Sequence, residues 1–439
     1  MWISVRVEEK LIALERHAAW SAQDEASAYA QALLDVVEED QGRTWADGDI
    51  RMGDYILIID SDTEVPRDCL LDAASEMEIS PRTAILQYAS GVMNVTDSFF
   101  EKAITWFTNL VYTQIRYAVA SGDVAPFVGH NAILRWDAIQ AIEYICEVDN
   151  RPKWWSEETV SEDFDMALRL QKNGFLVRLA GYKNNGETYN EGVSLTIYDE
   201  LARWEKYAYG CSELLFHPLR YWPTRGPFTK LFRDFIKSPM PLSSKCTIMA
   251  YIGTYYAIGA SWILNVANYF IIGWDNGWYA AYYLPGFGIY IAILAVFTAL
   301  GNIALAVLRW RIGEKGLLSA LLQNFSWIPL MSIFFAGISL HVSQALLSHL
   351  FGIDMQWGST NKEVENRTFF EEIPIVLKGF KGTFLFCFLC IVGMIVMATA
   401  VPYEWRIDSF VAIFPLALCV VGHAILPIAL NPNLIVFRW

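Results

Sequence analysis

The chain has 439 residues, of which 54% are hydrophobic, 15% aromatic and only 18% charged. Charged residues make up roughly 25% of an ordinary soluble domain, so this composition argues against a wholly soluble protein. The net charge of −14 argues against a nucleic-acid partner, because phosphate backbones select for Lys and Arg.

The acidic residues are concentrated in the first part of the chain. Of the 47 Asp and Glu residues, 38 lie in residues 1–240. The last 199 residues hold the other 9, a depletion expected of a segment that lies in lipid. We therefore divide the sequence into an N-terminal remnant (1–50), a soluble domain (51–245) and a membrane domain (246–439).

Residues 1–50 are predicted to form a helix followed by a loop, because residues 20–50 are polar, acidic and rich in Ala. The first twenty residues carry six charged side chains, so we predict no signal peptide. No apolar run in this part of the sequence predicts a strand.

The soluble domain alternates short apolar runs with helical stretches. Three apolar runs are predicted strands: residues 55–59, which read YILII, 84–88 and 175–180. Three helices are predicted, at residues 69–77, 99–119 and 162–173. Strands that alternate with helices indicate an α/β layered sheet.

Five apolar runs free of Asp, Glu, Lys and Arg follow, at residues 246–274, 276–308, 316–353, 382–403 and 409 to about 429. A bilayer crossing needs about 20 apolar residues, so all five are predicted membrane helices. The third run is longer than one crossing needs, and Pro329 interrupts it. It fits either an interfacial helix plus one crossing or a tight hairpin, so we predict five or six crossings.

Positive charges predict the orientation, because basic segments face the cytosol. Six Lys and Arg residues precede the first apolar run, at positions 220, 225, 230, 233, 237 and 245. Three more lie between the second and third runs, at positions 309, 311 and 315, whereas only Asp275 separates the first and second. Residues 1–245 are therefore predicted to be cytosolic in a multi-pass protein of the plasma membrane, the Golgi or the endoplasmic reticulum.

Asp60-Ser61-Asp62 directly follows the predicted strand at 55–59. Ligands of open α/β sheets bind beyond the carboxyl ends of strands. Two carboxylates two residues apart can share a hard divalent cation and the diphosphate that it carries, and the cation offsets charge on the leaving diphosphate. Asp60 and Asp62 are therefore candidate metal and diphosphate ligands. A solvated acidic turn is the alternative.

Ser161-Glu162-Asp163 begins the predicted helix at 162–173. Asp163 is a candidate general base, because a sugar hydroxyl that attacks an anomeric carbon must lose its proton. The positive end of the helix should favour the ionised carboxylate. The alternative is a plain helix start with Ser161 as the N-cap.

The segment 127–131 reads FVGHN. Gly129 would let the backbone approach a ligand closely, and His130 and Asn131 could form hydrogen bonds with sugar hydroxyls. The alternative is an ordinary loop before a strand.

Glu200-Leu201-Ala202-Arg203-Trp204 lies ahead of the first apolar run. Arg203 can pair with phosphate, and Trp204 offers a flat face for a sugar. The alternative is an amphipathic helix near the membrane, where Trp and Arg are common.

The order of these motifs resembles the family-2 glycosyltransferases with membrane-embedded synthase domains, which include the cellulose, chitin and hyaluronan synthases. The series is DSD, VGHNAILR, SEDFD, ExxRW and then a membrane helix, over roughly residues 50–380. Fungal members look closest, through GDYILIIDSDTEVP, SEDFDMALRLQ and RWEKYAYG. The resemblance implies a GT-A-like fold for the α/β domain, a UDP-sugar donor and a Mg or Mn ion.

The resemblance also implies roles for single residues. Asp60 and Asp62 match the metal and diphosphate aspartates, and Asp163 matches the catalytic base of a TED-type motif with Ser161 in place of Thr. Substrate contacts are implied for four residues: Gly129, His130, Asn131 and Glu162.

Arg203 and Trp204 match the RW of a QxxRW motif that grips the donor and the growing polymer, with Glu200 where Gln is expected. Residues 356–362, which read QWGSTNK, resemble a gating loop in position. The loop near residues 354–381 is therefore expected on the cytosolic side, and a plain interfacial loop anchored by Trp357 is the alternative.

Family members open the domain with a strand and an acidic residue that hold the uridine, well before the DxD aspartates. Only 59 residues precede Asp60 here, so a partial GT-A-like domain is expected, from a truncated or degenerate copy. Three functions follow from these expectations: a processive polysaccharide synthase, a transferase that glycosylates a lipid, or a silent membrane partner of a complete synthase. The expected partners are a nucleotide sugar, a polysaccharide or lipid acceptor and the bilayer, and a homo-oligomer is left open.

Overall fold

The computed structural model describes residues 1–15, 21–146, 148–181, 188–275, 286–355 and 367–435. Its strands and helices form an α/β part up to residue 237 and an all-helical part from residue 242 onward. The predicted fold class, a mixed α/β domain followed by membrane helices, is confirmed.

A four-stranded mixed sheet lies at the centre of the α/β part. In spatial order its strands are β1 (Tyr55–Ile58), β4 (Ala132–Arg135), β2 (Thr83–Tyr88) and β7 (Leu176–Ala180). β4 runs antiparallel to both of its neighbours, and β2 runs parallel to β7. The three predicted strands are β1, β2 and β7, so that prediction is confirmed.

Side chains that alternate along β2 pack on the two faces of this sheet. Ile85 belongs to one buried cluster with Leu134, whereas Leu86 belongs to another with Ile133 and Met77. Every residue of β2 is buried. Burial on both faces explains why its sequence is a nearly continuous apolar run, without a polar residue at every second position.

Two small sheets complete the α/β part. In one, β3 (Ser90–Val92) and β8 (Tyr189–Glu191) form a parallel pair. In the other, β5 (Tyr144–Ile145) and β6 (Pro152–Lys153) form an antiparallel pair. A bridge between Glu64 and Asn190 joins β8 to the loop that follows β1. This bridge places Glu191 beside that loop.

The helices of the α/β part are α1 (Trp2–Glu15), α2 (Ala22–Glu39), α3 (Cys69–Ile79), α4 (Phe99–Ala120), α5 (Trp136–Gln140), α6 (Glu162–Lys172), α7 (Ile197–Leu215), α8 (Trp222–Arg225) and α9 (Lys230–Lys237). The predicted helices are confirmed as α3, α4 and α6. Residues 1–15 and 21–54 contain α1 and α2 and no strand. The two helices pack on each other through Val7, Ala32 and Val36.

The helices of the second part are α10 (Leu242–Trp274), α11 (Gly286–Leu294), α12 (Gly301–Arg311), α13 (Leu317–Gly337), α14 (Ser339–Phe351), α15 (Phe369–Gly379), α16 (Lys381–Thr399), α17 (Phe410–Ala429) and α18 (Pro432–Ile435). A π-helical turn at Ala295–Leu300 joins α11 to α12. Within the described residues, five stretches are long and apolar enough to cross a membrane: α10, α11–α12, α13–α14, α16 and α17. They match the five predicted membrane helices and make the chain a multi-pass membrane protein.

The third of these stretches forms one bent helix. Pro329 lies inside α13 without ending it. The bend falls at Ile338, whose backbone stays helical with φ −85° and ψ −11°. A tight hairpin within this stretch is therefore wrong, because no reversal of the chain separates α13 from α14.

Helix α10 starts against the α/β part and leads away from it. The Thr247 hydroxyl donates to Asp123 (2.7 Å), whereas the Trp274 indole at the other end donates to the Trp405 carbonyl (3.2 Å). Trp405 precedes α17, whose first turn packs against Phe287 of α11. Trp274, Phe287 and Trp405 therefore lie at the end of the helical part that is farthest from the α/β part, which we call the remote end.

Helix α14 lies against the α/β part. His349 Nδ1 shares a hydrogen bond of 2.7 Å with the Ser212 hydroxyl of α7. A Cβ added to Gly352 would lie 3.5 Å from the guanidinium carbon of Arg220. The loop after α14 therefore begins on the side of the helical part where the α/β part lies.

Candidate active site

The DSD motif follows β1 and faces β8. Asp62 Oδ2 accepts a hydrogen bond from the Gly192 N–H (3.0 Å), directly after β8. The Asp60 side chain is 56% exposed, and its Oδ2 lies 3.9 Å from His130 Nδ1. One aspartate thus fixes the loop to the sheet, while the other projects toward solvent beside the FVGHN segment.

The carboxylate of Glu191, on β8, contacts two residues of the FVGHN segment. Asn131 Nδ2 donates to Glu191 Oε2 (3.1 Å) and to the Ser90 hydroxyl (2.7 Å). His130 Nε2 is buried against the same carboxylate. Burial lowers the pKa of His130, but Glu191 and then Asp60 outweigh burial, so its pKa lies above the ordinary value.

Gly129 and Asp163 are in direct contact. A Cβ added to Gly129 would lie 3.1 Å from Asp163 Oδ2, and Gly129 has φ +84°. Both the space and the left-handed backbone therefore require glycine at this position. The structure thus places Asp163 against Gly129 and Asp60 against His130, so that the two carboxylates approach adjacent residues of one loop.

Burial decides the charge state of Asp163. Its Oδ1 accepts a hydrogen bond from the Phe164 N–H (2.7 Å) at the start of α6. Burial raises its pKa to about 6, against the lowering effect of this hydrogen bond. The N–H at the helix start thus favours the ionised form, as predicted, but burial outweighs it. A pKa of about 6 still leaves the carboxylate mostly ionised at neutral pH.

Ser161 occupies the N-cap position of α6 without capping it. The alternative interpretation of this motif placed Ser161 at the N-cap, where the structure has it, but its side chain makes no cap hydrogen bond. Its hydroxyl instead packs against α7, where a Cβ on Gly210 would lie 2.0 Å from Ser161 Oγ. Glu162 is partly exposed, and its charge contributes to the raised pKa of Asp163.

Glu200 holds both residues of the RW pair. The Trp204 indole donates to Glu200 Oε1 (3.0 Å), and Arg203 Nη1 lies 3.6 Å from Glu200 Oε2. Arg203 also donates to the Tyr207 hydroxyl (3.2 Å). The Trp204 ring makes edge contacts with three aromatic rings, those of Tyr255, Phe334 and Phe335. Trp204 is thus packed into the membrane helices, which limits the face that it can offer to a sugar.

The two aspartates of the DSD motif fit a divalent cation as a partial set of ligands. Among the described residues, no cluster of three or more His, Cys, Asp and Glu side chains could hold a metal ion. Mg²⁺ in proteins commonly takes one or two carboxylates, several waters and oxygens of substrate phosphates. In donor type, the carboxylates of Asp60 and Asp62 fit this arrangement; Asp62 Oδ2 also accepts the Gly192 N–H.

Sequence reasoning missed Glu191. It stands alone in the segment YNEGVS, with no spacing to DSD or FVGHN that marks it. Only the pairing of β3 with β8 brings it to His130 and Asn131. The predicted gating loop, residues 356–362, lies outside the described residues.

Two comparisons bear on what this site does. A sequence model of the "Glycosyl transferase family group 2" matches residues 55–275, half of the chain, and this range contains every candidate site residue. The beta-monoglucosyldiacylglycerol synthase of Synechocystis sp. is 21% identical over 216 residues. That alignment covers 44% of this chain and 42% of the relative, so the match spans less than half of either protein.

Proposed function

Because the chain belongs to the glycosyl transferase family group 2, we propose that it transfers a sugar from a UDP-sugar to an acceptor hydroxyl. One observation carries the assignment of the site: Asp163 approaches Gly129, and Asp60 approaches His130, the next residue. A donor diphosphate beside Asp60 and an acceptor hydroxyl beside Asp163 would then meet at one short loop.

Asp163 is the catalytic residue in this proposal. Its carboxylate accepts the proton of the acceptor hydroxyl while that oxygen bonds to the anomeric carbon of the donor. The bond between this carbon and the diphosphate oxygen breaks, and the diphosphate leaves with the electron pair. A base with a pKa of about 6 combines an ionised state at neutral pH with useful basicity.

Asp60 and Asp62 are the proposed ligands of a Mg or Mn ion. When bound, such an ion offsets the negative charge on the leaving diphosphate. Arg203 is the proposed phosphate contact, because Glu200 and Tyr207 hold its guanidinium in place. Glu191 is a positioning residue, since it contacts His130 and Asn131 from the side away from the substrate.

Two acceptors fit the proposed reaction. A growing polysaccharide is supported by the resemblance of the motif series to that of membrane-embedded synthases and by the membrane helices that follow the domain. A lipid is supported by the similarity to a synthase named for a glucosylated diacylglycerol. Both acceptors use the same aspartates and the same base, so the site alone does not separate them.

An assay of the products separates the acceptors. Membranes that contain the chain are incubated with radiolabelled UDP-sugars, and the products are divided by organic extraction. Label in the organic phase identifies a glycolipid, whereas label in a large, water-soluble or insoluble product identifies a polysaccharide. No transfer together with no UDP-sugar binding would overturn the proposal in favour of a silent membrane partner.

We propose four complete crossings in place of the expected five or six, with the α/β part cytosolic. Phe287 of α11 lies at the remote end, so α11–α12 leads back and places Arg309 and Arg311 on the cytosolic side, as basic residues prefer. The bent helix α13–α14 then starts on this side and ends there, at Gly352 beside Arg220. Its middle also contacts the α/β part, through Phe334 and Phe335 against Trp204. Because the helix does not reverse, we place it along the cytosolic membrane interface, without a crossing.

This topology predicts that Asn366 faces the cytosol, although this residue lies outside the described part of the chain. Asn366-Arg367-Thr368 is a glycosylation acceptor that is used only on the lumenal side, so no glycan is expected there. In sealed vesicles, a membrane-impermeant maleimide should label Asn366→Cys and Glu404→Cys from opposite sides, because Glu404 adjoins the remote Trp405. Labelling of both from one side, or a glycan on Asn366, would contradict four crossings.

Replacing Glu191 by Gln is expected to lower kcat/KM by about tenfold, on the scale of one lost charge-assisted hydrogen bond. The change removes the charge that raises the pKa of His130, so that pKa should fall, and NMR titration of the ring measures it. Glu64→Gln is the matched control, because Glu64 is an exposed carboxylate that contacts the same strand through Asn190. An unchanged His130 pKa in Glu191→Gln would disprove this positioning role.

A further inference from the structure

The membrane-proximal basic segment, residues 220–237, carries a surface that sugar transfer does not use. Five exposed cations lie on it: Arg220, Arg225, Lys230, Arg233 and Lys237. Among the described residues, none of these five forms an ion pair with a carboxylate. Asp234, the one acidic residue of the segment, pairs with Lys172 of α6 (2.7 Å). Within the described part of the chain, this surface therefore carries positive charge that forms no ion pair with a carboxylate.

Helix α9 presents part of this charge on an outward face. Phe232 and Phe235 are buried in the core and anchor one side of the helix. The other side carries Arg233, Ile236 and Lys237, and Ile236 is 43% exposed. An amphipathic helix with cations beside an exposed apolar side chain is typical of a membrane interface.

An open groove of about 230 Å³ follows this outward face. Its lining residues are Phe228, Phe232, Arg233, Ile236 and Lys237. Three are apolar and two are cationic. A free phosphate would need only the cations, and a neutral lipid would need only the apolar wall. The combination fits a molecule that carries an anionic headgroup next to a hydrocarbon chain.

The groove adjoins the first membrane helix. Phe228 stacks on Phe216 (5.4 Å between ring centres), and Phe216 also packs against Tyr256 of α10 (5.8 Å). Lys245, in the first turn of α10, donates to the Ile236 carbonyl (2.8 Å). A cluster of basic residues directly before a membrane helix is the position at which anionic lipids bind.

We propose that the groove along α9 binds an anionic phospholipid. The headgroup phosphate lies against Arg233 and Lys237, and the upper part of an acyl chain lies against Phe228 and Ile236. This site is separate from the proposed transfer site and does not depend on it. Each Lys or Arg at an anionic membrane surface strengthens association about fivefold, so a preference for anionic over zwitterionic lipid of at least about fivefold is expected.

Lipid titration of the full chain tests the proposal. The purified, delipidated protein is titrated with phosphatidylglycerol and with phosphatidylcholine of the same acyl chains, and native mass spectrometry counts the bound lipids. Lys237→Gln should reduce the preference for phosphatidylglycerol about fivefold without harming the fold, since Lys237 is exposed. Arg233→Gln should act alike, with its thermal stability recorded because Arg233 also donates to the Phe228 carbonyl (3.0 Å).

The matched control is the double variant Lys378→Gln and Lys381→Gln, two exposed cations beside α16. It should keep the full preference if the groove, and not any positive charge near the membrane, binds the lipid. An equal loss in this control would overturn the proposal, as would an unchanged preference in Lys237→Gln. Displacement of phosphatidylglycerol by excess inorganic phosphate would identify a site for free anions and would also overturn it.

Discussion

Replacing Asp163 by Asn is expected to lower the rate of sugar transfer by about a hundredfold to ten-thousandfold. Asn keeps the shape of the side chain and its hydrogen bond from the Phe164 N–H but cannot accept the proton of an acceptor hydroxyl. Binding of UDP-sugar should persist, because Asp60 and Asp62 are untouched. Single-turnover transfer and equilibrium donor binding, measured on the same preparation, separate the two effects.

Asp165→Asn is the control for this variant, because Asp165 lies two positions along the same helix. Its side chain is buried and accepts a hydrogen bond from Arg169 Nε (2.6 Å). The change should therefore lower the thermal stability and leave kcat per folded molecule nearly intact. If Asp165→Asn lowers kcat more than Asp163→Asn does, Asp163 is not the base.

The pH dependence of transfer should follow the same carboxylate. Only ionised Asp163 accepts a proton, so kcat/KM is expected to fall about tenfold for each pH unit below a pKa of about 6. Glu213 could produce a similar decline, because burial raises its pKa to about 7. Glu213→Gln should keep the acidic limb of the profile if Asp163 causes it, and loss of the limb in that variant would assign it to Glu213.

Asp60→Asn or Asp62→Asn is expected to abolish measurable transfer, because either change removes a proposed ligand of the cation that offsets charge on the diphosphate. The folded protein should still insert into membranes. Asp60 is largely exposed, and an Asn oxygen at position 62 can still accept the Gly192 N–H. Chelation with EDTA should have the same effect, with activity restored by Mg or Mn.

Asp68→Asn provides the matched control for the aspartate pair. Asp68 is exposed in the same loop region and has φ +59°, a backbone conformation that Asn adopts readily. Its replacement changes the local charge equally but should leave activity intact. Full activity of Asp60→Asn and Asp62→Asn, or of the parent chain in EDTA, would exclude the metal role.

Local pattern predicted three of the four strands of the central sheet and all five long apolar helical stretches. The apolar run YILI predicts a buried strand whatever the order of strands in the sheet. Asp60 must then lie just beyond the carboxyl end of that strand. Runs of about 20 residues without charge have few stable locations other than a bilayer, so the membrane helices could also be predicted from the sequence. The bend at Ile338 could not be predicted, because the apolar run 316–353 has the same composition on both sides of this residue.

Within the site, the sequence by itself determined which residues had suitable chemistry: two aspartates after a strand, a glycine before His130 and an acidic helix start. Only the tertiary structure decided what those residues touch. Asp163 contacts Gly129 and is buried, which raises its pKa. Glu191 contacts His130, and Trp204 packs against Phe334. All of these contacts join segments that are distant in sequence. Side chains on the buried face of a helix or strand repeat at a fixed spacing and leave a periodic signal in the sequence, whereas contacts between distant segments depend on how the whole chain packs and leave none.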